Sequence, residues 1–120
     1  MNGIHRSGIV TFTAAAAVVK GDILKFNAGN VTPCTAATDA AVGVAIDGAE
    51  AGGIVPVAVL GAVSGTVLVK AAGAIAQGAQ IAANGTATAA ATDVIVGRAL
   101  EAASASGDLV EAATQVATVK

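Results

Sequence analysis

Few residues of this chain could do chemistry, and their spacing narrows what that chemistry could be. His5 is the single histidine and Cys34 the single cysteine. A Ser-His-Asp arrangement would have to use His5, and no G-x-S-x-G turn presents a nucleophile. His5 and Cys34 alone are too few to hold zinc. Asp39 and Asp93 each follow a threonine. Two such carboxylates could share an acid–base site if the fold brought them together. The plainer reading is that each Thr-Asp caps a turn by bonding to nearby backbone N–H groups. Gly48, Gly52 and Gly53 form a glycine-rich loop, but no G-K-[ST] follows to cradle a phosphate. Lys70, in "VLVKAAGAIAQGAQI", has the rhythm of a barrel-sandwich carrier, whose modified lysine stands at an exposed hairpin tip. The Asp or Met neighbours expected there are missing. The chain is therefore expected not to be an enzyme, with no catalytic residue, no cofactor and no metal.

The elements that would position these residues repeat. "TDAAVGVAIDGAEAGG" (38–53) returns 54 residues later as "TDVIVGRALEAASASG" (92–107). Thr, Asp, Val, two Gly and three Ala are identical, and Ile46/Leu100 and Asp47/Glu101 are conservative pairs. Upstream, "KGDILKFNAGNVT" parallels "QGAQIAANGTAT", so the repeat is read as 20–58 and 77–112. Each copy reads as a strand opened by Gly21 or Gly78, an Asn/Gly hairpin, a Thr-Asp turn and a strand "VGVAI" or "VGRAL". A loop and a returning strand follow. Asn84-Gly85 suits a type I′ turn, whose central residues both need positive φ. Gly43 and Gly97 allow a bulge or a close backbone approach. "GTVLVKAAGAIAQGAQI" is expected to join the two copies.

Composition agrees with strands. Of 120 residues, 17 are Val, 8 Ile and 11 Thr, against 5 Leu, and 15 Gly punctuate them. β-Branched side chains fit a pleated surface better than a helix. The 32 alanines are the counter-signal, since alanine favours helix. With two Phe and no Trp or Tyr, large side chains are scarce and a monomer core is thin. Such a chain gains stability by burying surface in an oligomer or on a partner. The expectation is an all-β, compact small barrel or sandwich of two similar strand-turn units, spanning 11–120 and preceded by an arm, 1–10.

Charge and hydropathy exclude other classes. The net charge is −2, and the six basic residues are scattered without aromatic neighbours, so no nucleic-acid surface is expected. "MNGIHRSGIVTFTAAAAVVKG" loosely resembles a signal peptide, but Thr11, Phe12 and Thr13 interrupt it with strand-like alternation. Residues 51–69 carry no charge and are long enough to span a bilayer. Pro56, Gly61 and Ser64-Gly65-Thr66 divide them into strand-sized pieces, so no membrane span is expected.

The order of these pieces resembles a known family. "FTAAAAVVKGDIL", "GNVTPCTAATDAAVGVAIDGAEAGGIVPVAVLGAVSGTVLV" and "GAIAQGAQIAANGTATAAATDVIVGRALEAASASGDLVEA" are similar to the head decoration, or cement, proteins of tailed bacteriophages. The late pattern "iG.al.aa.aGd.v" falls on Val96 to Val110. The final strand departs from the family's alternating valines at Ala112 and Ala113. The resemblance implies a β fold and a homotrimer on the outer surface of the capsid, clamping neighbouring major capsid protein subunits without enzymatic action. A head fibre base, a tail component and a barrel-sandwich carrier or binding module remain the alternatives. The arm is the expected capsid contact, through Ile4, His5, Arg6, Ile9 and Val10: apolar side chains in a terminal arm suit docking to a sheet edge.

Overall fold

Runs of Val, Ile and Thr between glycines dictate short extended segments. The structure, a computed structural model, describes residues 7–120. Among these no helix forms. The strands are β1 (Ile9–Thr13), β2 (Ile23–Asn27), β3 (Asn30–Pro33), β4 (Ala41–Ala45), β5 (Ile54–Val59), β6 (Val67–Lys70), β7 (Gln80–Ala82), β8 (Val94–Ala99) and β9 (Leu109–Val119). They make two antiparallel sheets, ordered β1-β5-β4-β2-β3 and β6-β9-β8-β7. The fold is all-β and sandwich-like, as the composition demands.

Each sheet rolls until its edges meet, giving two small, partly closed barrels. In the first, a parallel bridge joins Ala14 to Val31, and Ala15 N donates to Val31 O at 2.7 Å. In the second, Ala72 N donates to Gly85 O at 3.0 Å. The repeat reaches the level of individual hydrogen bonds. Gly21 N to Ala45 O reappears as Gly78 N to Ala99 O, and Ala14 N to Gly53 O as Ala71 N to Asp108 O. The reciprocal bonds of Val18 with Ala49 return between Ile75 and Ala103. Even the irregularity in pairing recurs, between Leu24 and Lys25 and between Ile81 and Ala82.

The second copy therefore starts at β6, and the segment expected to join the copies is the opening of the second one. Gly43 and Gly97 are close-approach sites in the two barrels. A Cβ on Gly43 would lie 2.7 Å from Ala58 O, and one on Gly97 would lie 2.5 Å from Ala113 O. Residues 51–69 divide into β5, a loop and β6.

Two further expectations need correction. Asn84-Gly85 does not form a type I′ turn. Gly85 N donates to Ala82 O and Ala82 N donates to Thr86 O, leaving a three-residue loop in which Gly85 alone takes positive φ. The two-residue I′ turn is Ala28-Gly29, with φ of 50° and 87°, between the paired Asn27 and Asn30. Loop length, not the Asn-Gly dipeptide, decides the turn type. Ile9 and Val10, assigned to the arm, open β1 opposite Ala58 and Val57, because their alternation continues through Phe12 into the sheet.

The core is built from small side chains: the largest fully buried ones are Leu24, Ile81 and seven valines. One cluster fills the first barrel with Ala14, Val18, Leu24, Val31, Val55 and Val57. The other fills the second barrel and takes in Ile23, Ala41, Val44 and Leu60 from the outer wall of the first. The barrels are also tied by Lys70 N donating to Gly21 O, by Val94 N donating to Ala37 O, and by the Lys70–Asp22 ion pair at 3.5 Å.

Candidate functional site

The Thr-Asp turns are used locally. Asp39 Oδ2 accepts from Thr35 N and Ala36 N at 2.9 and 3.0 Å. Asp93 Oδ2 accepts from Ala89 N and Ala90 N at 2.8 and 3.0 Å. Asp108 repeats the device on Ser104 N and Ala105 N. Donation from paired backbone N–H groups holds all three carboxyls below the ordinary carboxylate range. Lys25 stands 3.2 Å from Asp39 and adds to the lowering there. These carboxylates lock loops and are poor candidates for proton transfer.

The other reactive groups are similarly engaged. Burial, helped by the Asp39 charge, pushes the Cys34 thiol up to about 12. Such a thiol is a weak nucleophile. Lys70 closes β6 in register with Leu109 and pairs with Asp22, away from any hairpin tip. Among the described residues no three His, Cys, Asp or Glu side chains are gathered to hold a metal.

What the surface offers is shape and apolar area. Of the expected contact residues, Ile4, His5 and Arg6 lie outside the described residues. Ile9 is 38% exposed, whereas Val10 is buried in β1. Ile9 borders one apolar groove with Ile46, Val67 and Leu68, beside Lys20 and Ser64. This groove adjoins the point where the chain enters the fold, because Ser7 O accepts from Ser64 N and Gly8 O from Val59 N.

A second groove escaped the sequence reading. It is lined by Phe12, Phe26, Val42, Val59 and Leu60, with Val116 at its rim. Phe12 and Phe26 meet edge to face at a centroid distance of 5.5 Å, and Phe26 is 54% exposed. The available signal was that these are the chain's only aromatic residues and stand where the second repeat has Val69 and Ala83.

Comparison with known proteins adds the following. A family model described as phage cement protein matches residues 4–115. No curated protein sequence matches the chain. Among solved structures, the chain is similar to the head fiber gp8.5 N base of bacteriophage phi29, at a TM-score of 0.65 and 18% identity, covering 93% of this chain and 97% of that one. At that identity the likeness speaks for the fold.

Proposed function

The chain belongs to the phage cement protein family, and on that premise we propose that it sits on the outer surface of the head as a homotrimer and holds neighbouring major capsid protein subunits together. Family membership itself makes it a structural component of the phage capsid. The observation that carries this reading is the family match over nearly the whole chain.

The chemistry of the surface supports it. The carboxylates that stand out secure turns, the thiol is half-buried and Lys70 is paired, an arrangement that supports action by contact. A core of valine and alanine leaves stability to be gained by covering the apolar grooves. We assign the first capsid contact to residues 1–6, with Ile4, His5 and Arg6, together with Ile9. Ser7, the residue that follows them, is bonded to Ser64 at the edge of the Ile9–Leu68 groove. A head fibre base is the second reading, favoured by the fold shared with the phi29 protein.

The test is to add purified protein to expanded heads that lack it and to image them. Threefold density between major capsid subunits supports cementing. Density at the foot of a projecting fibre supports the second reading. Removing residues 2–6 spares the Ser7 and Gly8 hydrogen bonds and should sharply lower occupancy with the fold intact. Undiminished occupancy would move the contact to the loops at Gly48–Gly53 or Ser104–Gly107.

A further inference from the structure

The two barrels differ in what covers them. The mouth of the second is lined by Val69, Ala83 and Val96, each no more than 1% exposed. The outer wall of the first barrel, carrying Ile23, Ala41, Val44 and Leu60, closes over it in one continuous buried cluster. The matching mouth of the first barrel is lined by Phe12, Phe26 and Val42, with Val116 and Ala117 of β9 along one side, and it leaves Phe26 54% exposed.

The contact between barrels is also one-sided. Gly21 packs so tightly that a Cβ there would lie 2.6 Å from Leu109 and 2.8 Å from Lys70 N. Its counterpart Gly78 faces open space, and Ile54, the counterpart of Leu109, is 65% exposed. A reciprocal contact would have filled both places. A head-to-tail contact leaves one mouth and one wall unmatched at its ends, and it closes only through further copies.

The unmatched wall belongs to the second barrel. Where the first wall has Ile23, Val44 and Leu60, the second has Gln80, Arg98 and Gln115. Arg98 is exposed, and one of its guanidinium nitrogens donates to Gly78 O at 2.6 Å. A wall that must stay soluble before assembly suits polar residues. A guanidinium laid on the exposed Phe26 ring is also a favourable pairing, and both partners are enriched at protein interfaces.

We propose that the open mouth of the first barrel, at Phe12 and Phe26, is capped by the Arg98 wall of a second copy, repeating between chains the contact made within each chain. The proposal rests on the homotrimer reading above and names its interface. Three chains joined this way form a ring of six barrels in head-to-tail order.

The test uses full-length chains carrying Cys34→Ala. A chain with Asn27→Cys, next to Phe26, is mixed with a chain with Gln80→Cys, opposite Arg98 in the sheet, and a short bismaleimide is added. The proposal predicts that the mixture cross-links and that neither variant cross-links alone. Separately, Phe26→Gln and Arg98→Glu should each weaken association at least tenfold in sedimentation, with strand circular dichroism unchanged. A monomeric parent protein at millimolar concentration overturns the trimer reading, and the cap with it. A parent trimer that neither cross-links at this pair nor responds to the substitutions overturns the cap alone. Variants that stay trimeric but no longer bind heads also overturn it, and would assign the mouth to the capsid protein.

Discussion

The carboxylates of Asp39, Asp93 and Asp108 each accept two or more hydrogen bonds and are held low, so folding favours their ionised form. A group with a depressed folded pKa contributes stability that is fully present above its unfolded value, about 4, and is lost as pH falls through the folded value. Urea unfolding midpoints should therefore be flat from pH 7 to 5 and fall steeply below about pH 4. Asp93→Asn should lower the midpoint at pH 7 and flatten that acid limb, and an unchanged limb would contradict the assignment. Cys34 tests burial independently. With its thiol near 12, only about one molecule in ten thousand carries the thiolate at pH 8. Maleimide labelling of the native protein should be slower than that of the urea-unfolded chain by roughly a hundredfold or more. Thr-Asp was legible in the sequence because the bond runs within a few residues. The Cys34 environment was not, because it is made by packing against the second barrel's buried cluster.

Among the elements, the hairpin of β2 and β3 carries a local conflict. Ala28 is held at φ 50° in a turn that favours Asn or Gly. The left-handed region costs an ordinary L-residue about 1–2 kcal/mol. Ala28→Asn should therefore stabilise the protein by about 1 kcal/mol in chemical denaturation. A loss of stability would mean that the turn is misassigned. Gly43 and Gly97 provide a paired test of the repeat. Alanine at either would drive its Cβ into a neighbouring strand's carbonyl and should cost about 1–3 kcal/mol. Gly73→Ala, which meets nothing within 4 Å, is the control and should be nearly neutral. The strands themselves were readable from β-branched runs, and β7 was matched to β2 across the repeat, but β6 was not recognised as a second β1. The spacing between equivalent residues drifts, from 57 at Gly21 and Gly78 to 54 at Ala45 and Ala99 and 55 at Val55 and Val110. A constant-offset comparison loses the match where hydrogen bonds keep it.

At the scale of the whole molecule, two barrels with small-residue cores share one boundary and leave one aromatic mouth uncovered. Local sequence cannot show that Phe26 is exposed and Phe12 only half-buried, because their alternation matches that of buried strand residues. Only the packing of one barrel on the other separates the covered mouth from the open one. A protein of this build is stable enough to fold and has apolar surface in reserve for a partner, which suits a molecule that reinforces a shell. The most direct measurement is the temperature at which purified heads rupture and release their DNA, with and without saturating protein. The account predicts saturable binding and a rupture temperature raised by several degrees. Saturable binding with an unchanged rupture temperature would contradict cementing and leave a passive surface component.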